Sequence, residues 1–473
     1  MAAAILPMLL ALGNQSAPDV AAEVFKDFSA QYMYGDSASR IPDTINFRYE
    51  YDFIVVGAGS GGCVMANRLS ENPGWNVLLL EAGVEENLLL SVPMMAAYNT
   101  KTDYDWKYVF EPSPLACGAS PGGVCSLPRG RGLGGSSLLN YMVYTRGHYR
   151  DYDEWAEAGN YGWSYEDVNQ YFEKGEESYI NPYLNPFETP LLSGFRQNIL
   201  DSGYGELQFQ LNQTLFKQST DEAFSNYIND VTGPFTVPFG VESIAFLKIE
   251  NSQLPYDYPD FEAILSSTML RKSSSAAFRL LGLDQALEDI DALNNDDHTS
   301  LDIIVMLTRP NSRGHIILKS RDPLEHPKII PNFLSHPDDV PYARESLKKA
   351  ILLGESGTLA NWGSKLKENF APGCENFSID NDDFWDCFIK NYLVSSYHVA
   401  GTCKMGPDGD PTAVVNPELQ VHGIAGLRVV DASVMPKPMA GHPNAVVFMI
   451  GEKAADMVKR KWSDSVHTNN IRC

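Results

Sequence analysis

Tyr51-Asp-Phe-Ile-Val-Val56 is an apolar run of strand length. It gives way after Gly57 to Gly61-Gly-Cys-Val-Met-Ala-Asn-Arg-Leu-Ser70, where apolar residues recur at helical spacing with no breaker after the second glycine. A second short apolar run, Asn76-Val-Leu-Leu-Leu80, follows and delivers Glu81 at its C-terminal end. Two buried strands flanking a helix predict a β-α-β unit of a doubly wound sheet. Further on, Asp302-Ile-Ile-Val-Met-Leu307 and His315-Ile-Ile-Leu-Lys319 read as strands of a second domain, the latter after a Pro310-Asn-Ser-Arg-Gly314 turn. Residues 444–459 place Val446, Val447, Ile450, Ala454 and Met457 on one helical face. Between 151 and 179 the chain is aromatic and acidic, and Trp155, Trp163, Tyr165 and Tyr171 read chiefly as packing.

The turn between the first strand and its helix carries Gly57-x-Gly59-x-x-Gly62. Glycines at this spacing let the backbone turn tightly and approach a pyrophosphate, which then sits at a helix N-terminus among unpaired N–H groups. Glu81, at the end of the next strand, suits the two hydroxyls of an adenosine ribose. These residues predict dinucleotide binding without separating NAD from FAD. A second glycine-rich stretch, Pro128-Arg-Gly-Arg-Gly-Leu-Gly-Gly-Ser-Ser-Leu-Leu-Asn-Tyr-Met142 followed by Thr145-Arg-Gly147, makes that distinction.

That stretch resembles the first signature of the glucose-methanol-choline (GMC) flavoprotein oxidoreductases. Residues 52–83, 397–405, 427–436 and 441–453 extend the likeness over the N- and C-terminal thirds, most closely to the insect glucose-dehydrogenase-like branch. The resemblance implies an α/β fold: a Rossmann-like FAD-binding domain with an α+β substrate-binding domain on an antiparallel sheet. It divides the chain into an N-terminal segment with a possible signal peptide (1–44), FAD-binding parts (45–206 and 383–473) and a substrate domain (207–382). The implied reaction is oxidation of a CH–OH group in a sugar or small alcohol, with hydride passing to flavin N5 and quinone, dye or oxygen accepting the electrons.

His398, in Ser396-Tyr-His-Val-Ala-Gly401, matches the family's base, and imidazole suits proton transfer near neutrality. His442, in Ala440-Gly-His-Pro-Asn444, matches the neighbouring position that hydrogen-bonds the substrate oxygen; otherwise it is a solvated residue beside a helix capped by Asn444. Asp431 with Ala432 matches the residues against the pyrophosphate and ribityl chain, where the plainer alternative is an Asp-Ala-Ser turn. Asn140, Met142 and Val143 match positions against the isoalloxazine. Backbone N–H groups from Gly134 and Gly135 to Ser136 are expected to face phosphate. The other histidines lack metal-ligand spacing, so no metal is expected, and no Gly-x-Ser-x-Gly elbow supports a hydrolase.

The likeness breaks in the middle. Family members carry well over a hundred residues between the lid region and the substrate domain, including further flavin-domain strands and the second signature. Here residues 189–204 and 206–214 resemble the flanks of that block, and the block is absent, as in a splice variant or incomplete gene model. Interior strands lost from a doubly wound sheet leave buried backbone N–H and C=O groups without partners. The alternative function is therefore a catalytically impaired relative acting as a secreted binding protein.

With 473 residues and a net charge of −24 spread along the chain, the composition argues against nucleic acid or an anionic membrane as partner. No run reaches the roughly 18 apolar residues of a membrane span. Cys117 with Cys125 and Cys374 with Cys387 bracket short loops able to close as disulfides, leaving Cys63, Cys403 and Cys473 over. With the apolar N-terminus and the triplets at Asn14, Asn212 and Asn376, they point to secretion.

Overall fold

A computed structural model describes residues 43–84, 90, 93, 99–178, 209–211, 241–266, 299–367 and 371–469. The expected signal segment, the junction of the missing block, Asn14, Asn212 and Cys473 lie outside the described residues.

The chain opens into β1 (Phe53–Val56), α1 (Ser60–Ser70) and β2 (Val77–Leu80), with β1 and β2 parallel and paired from Phe53–Val77 to Val56–Leu80. Strand β1 alternates. Phe53 and Val55 pack inward, Phe53 against the rings of Trp75 and Trp462, while Ile54 and Val56 are 58% and 80% exposed on the other face. An irregular stretch holds the two-residue pair β3 (Tyr108–Val109) and β4 (Ser126–Leu127). Helices α2 (Tyr149–Glu157) and α3 (Tyr165–Ser178) follow, and Trp155, Trp163 and Tyr171 are buried with α1, bearing out the packing reading.

An antiparallel sheet forms the second layer, in the order β11 (Lys365–Leu366), β5 (Phe209–Leu211), β8 (Thr299–Leu307), β7 (Phe261–Ser266), β6 (Val241–Leu247). Its two faces differ. Ala245, Leu247, Phe261, Ala263, Leu265, Leu301 and Ile303 form a core with α4 (Asp339–Gly354), α5 (Gly357–Asn361) and α6 (Asp382–Tyr392). Residues His315–Lys319, expected as a strand of this domain, instead give the short β9 (His315–Ile317), exposed and paired only with β10 (Lys328–Ile330).

The chain ends in α7 (Pro443–Asn469), longer than the 444–459 expected, with Val446, Ile450 and Ala454 fully buried against α1 and α3. Disulfides Cys117–Cys125 and Cys374–Cys387 form as anticipated, with Cα atoms 5.6 and 5.9 Å apart.

Candidate active site

The glycine loop after β1 is built by exclusion of side chains. Gly57 lies at φ +94° and donates its N–H to Leu80 O at 2.7 Å, and a Cβ on Gly62 would stand 1.9 Å from Gly57 O. The second glycine stretch closes on the first: Gly59 and Gly134 form a parallel bridge, and Gly134 N donates to Ala58 O at 2.8 Å. Glu81 holds the same loop, its Oε2 accepting from Ala58 N and its Oε1 from Gly83 N, both at 2.8 Å.

Of the N–H groups from Gly134 to Ser136 expected to face phosphate, those of Gly134 and Gly135 have backbone acceptors. Both are taken up inside the loop, by Ala58 O and Gly132 O. Ser136 Oγ likewise accepts from Gly130 N, and Asn140 Oδ1 from Met142 N. Asp431 is exposed and accepts from Ser433 N at 2.8 Å, which makes the Asp-Ala-Ser turn part of its role. Asn444 does not cap α7: its Oδ1 accepts from Ser60 Oγ at 2.6 Å, joining the last helix to the glycine loop.

His398 enters on a strained turn. Tyr397 lies at φ +66°, a left-handed conformation that bulky residues rarely adopt, and its carbonyl accepts from the Arg129 guanidinium at 2.9 Å. Downstream, Cys403 N and Met405 N donate to Ser433 O and Val434 O, placing this turn beside Asp431 and Ala432. The His398 Nδ1 is buried without a hydrogen-bond partner. Burial, His442 and Arg129 together hold its imidazole well below the ordinary histidine value.

His442 arrives from the other side. Its N–H donates to Thr145 Oγ1 at 2.8 Å, Ala440 N donates to Asp151 Oδ2 at 3.0 Å, and Gly441 between them sits at φ +122°. The two imidazoles meet edge to face with centroids 4.6 Å apart. One contact had no signal in the sequence: His442 Nε2 is 2.9 Å from Oε1 of Glu262, a fully buried carboxylate on β7. A lone Glu in an alternating strand carries no motif, and only the pairing of the sheet with the histidine turn picks it out.

A single cleft of about 2790 Å³ is lined by Gly57, Gly59, Gly62, Glu81, Gly135, Ser136, Asn140, Val143, His398, Asp431, Ala432 and His442. Gly134 and Met142 stand outside its lining, Met142 on the surface at 44% exposure. Ordinary ligand sites run to about 300–1,000 Å³, so this cleft exceeds a closed pocket, in keeping with the bare face of β1.

Sequence models of the GMC oxidoreductases match residues 51–225 with the N-terminal part of the family and 310–451 with the C-terminal part. The chain belongs to the GMC oxidoreductase family. Among curated GMC relatives, glucose dehydrogenase [FAD, quinone] of Drosophila melanogaster is 31% identical over 550 aligned positions, covering 88% of each chain. Mitochondrial choline dehydrogenase of Mus musculus is 28% identical, covering 87% of this chain and 89% of its own. Since 88% of a 473-residue chain cannot fill 550 positions, well over a hundred positions of the first alignment are gaps in this chain. Formate oxidase of Aspergillus oryzae RIB40 shares the fold with a TM-score of 0.70 at 20% identity, covering 88% of this chain and 99% of its own.

Proposed function

We propose that this chain binds FAD and oxidises the CH–OH group of a small alcohol, with His398 as base and His442 as its partner on the substrate oxygen. The observation that carries the reading is the meeting of these two imidazoles, 4.6 Å apart, in one cleft with both glycine stretches. The cleft fits the cofactor at its glycine end, where Gly59 and Gly62 leave only backbone against a pyrophosphate. When bound, FAD supplies the hydride acceptor. His398, held neutral and with one ring nitrogen unpartnered, is set to accept the hydroxyl proton. His442, fixed through Thr145, hydrogen-bonds the substrate oxygen and orients it. Quinone, dye or oxygen serves as the electron acceptor.

The sheet face opposite the histidines narrows the substrate. Cross-strand partners share a face, so Phe246, Glu262 and Met306 lie in one row and Ile244, Ile264 and Ile304 in the next. Ser266 and Asp302 stand at its far end. A surface this apolar favours an alcohol with a hydrocarbon body over a polyhydroxylated sugar. We assign this sheet to substrate binding and residues 45–206 and the C-terminal part to FAD. The packing of Phe384, Trp385 and Ile389 behind the antiparallel sheet supports putting the return to the FAD domain after α6 instead of at 383. The two disulfides support export.

A second reading, an impaired relative with a binding role, draws on the gap and on the exposed Ile54 and Val56. Anaerobic mixing of FAD-loaded protein with aliphatic alcohols and with glucose separates the two. The first reading expects flavin bleaching by the alcohols, slowed by two or more orders of magnitude in His398→Ala with the flavin spectrum intact. Bleaching at the wild-type rate in His398→Ala removes that residue from the mechanism, and no bleaching by any alcohol supports the second reading.

A further inference from the structure

Two carboxylates from different parts of the fold converge on His442. Glu262 reaches its ring from β7, with Oε1 2.9 Å from Nε2. Its own Oε2 is buried without a partner. Buried carboxylate oxygens are normally satisfied, so this side chain is held at a cost that packing alone does not explain. Asp151, at the start of α2, reaches the backbone of the same turn. Its Oδ2 accepts from Ala440 N and from His148 N, both at 3.0 Å. Its Oδ1 accepts from Tyr258 Oη at 2.8 Å and from Arg309 Nη2 at 3.1 Å.

Tyr258 and Arg309 belong to the antiparallel-sheet side. Tyr258 lies three positions before the first residue of β7 and Arg309 two positions after the last residue of β8, and the guanidinium lies 3.5 Å over the Tyr258 ring. Thr308 Oγ1 and Arg309 Nη1 donate to Asp260 O and Pro259 O, binding the entry to β7 to the exit from β8. Asp151 is therefore a knot between that strand end and the Ala440–His442 turn, and Glu262 is the next inward-facing residue on the same strand.

We propose that Glu262 and Asp151 form a brace through which docking of the antiparallel-sheet domain sets the ring orientation and tautomer of His442. Both are positioning residues: neither needs to touch the reacting atoms, and Arg309 acts one step further out, through Asp151. The Glu262 contact occupies Nε2 and so leaves Nδ1 as the ring nitrogen for the substrate oxygen. Asp151 fixes where the ring is hung. The proposal rests on His442 being the partner of His398.

The test uses the full chain labelled with 15N-histidine, read by the ring-nitrogen resonances of His442, which report the tautomer without any flavin present. Glu262→Leu is expected to move the His442 resonances to a mixed or reversed tautomer. Glu262→Gln, which keeps an acceptor oxygen, is expected to restore them. Arg309→Met is expected to shift His442 from outside the site. In FAD-loaded protein Glu262→Leu and Arg309→Met should lower the rate of flavin reduction by about 10–100-fold, the scale of loss when the carboxylate behind a metal-binding histidine is removed, with KM within about twofold. Unchanged His442 resonances in both Glu262→Leu and Arg309→Met overturn the brace, even where the variants lose thermal stability. If Glu262→Leu does not fold, Arg309→Met decides: wild-type His442 resonances in that variant refute the proposal. Absence of alcohol oxidation bears on the proposed reaction and leaves the resonance outcome readable.

Discussion

Burial, the neighbouring His442 and the Arg129 guanidinium all push the His398 imidazole in one direction, well below the ordinary histidine value of about 6.5. The sign for stability follows from proton counting. Between the lowered folded value and about 6.5 the unfolded chain carries the proton and the folded chain does not, so stability rises with pH across that window. The contribution is present above about 6.5 and is lost as pH falls below it. His148 is moved the same way by burial and adds to the slope. The urea midpoint is thus expected to fall between pH 7.5 and 5.5, and His398→Gln should flatten the fall without abolishing it; an identical pH slope in that variant would show that His398 is solvated in solution. His398 and His442 were legible in the sequence because each sits in a long motif. Glu262 was not, since its role comes from a register between β7 and a turn 180 residues away.

Helix α7 shows what element-level reading catches and where it stops. Its apolar face at 446, 447, 450, 454 and 457 was visible from spacing, and that face is what packs on α1 and α3. Its polar interior was not. Glu452 is fully buried between α1 and α3, taking both oxygens to Arg68 Nε at 2.8 and 2.9 Å and one to Lys174 at 3.0 Å. Nearer the surface, Lys459 and Arg68 bond Glu71 and hold its carboxyl down to about 2. Removing one member of a buried ionic cluster leaves the rest unpaired and costs about 3–5 kcal/mol, whereas an exposed pair is worth about 0–1 kcal/mol. Glu452→Ala is therefore expected to lower the unfolding free energy by about 3 kcal/mol, and Lys459→Ala by less than about 1 kcal/mol. Equal losses in denaturant titrations would place the helix anchoring in the outer pair instead. The strands were legible where a continuous apolar run marks them, as in β1, β2 and the second half of β8. Residues 315–319 misled because an apolar run at a surface turn looks the same as a buried one: Ile316, Ile317 and Leu318 are 48%, 46% and 79% exposed.

At the scale of the whole molecule, a doubly wound sheet buries both of its faces, and here one face of β1–β2 stays open. Ile54, Val56 and Leu80 are 58%, 80% and 40% exposed, a row of large apolar side chains at the strand ends where the cofactor cradle begins. We infer that residues which the glucose dehydrogenase carries and this chain lacks, well over a hundred aligned positions in all, would cover this face. The turns that carry His398 and His442 lie within the described segments, whereas a dinucleotide at the glycine cradle would lie beside the open side of β1. The protein as it stands is thus expected to bind a dye of exposed apolar surface strongly and to hold FAD well below one per chain. A version with the corresponding segment of a GMC relative inserted after Gly205 is expected to lose most of the dye signal and gain flavin together, since one surface governs both. Flavin absorbance per protein and dye fluorescence, measured on the two proteins side by side, give the comparison. Stoichiometric FAD in the unmodified chain would mean that the glycine cradle, Glu81 and the Ser60–Asn444 link suffice to hold the cofactor, and that the open face of β1 has no part in binding it.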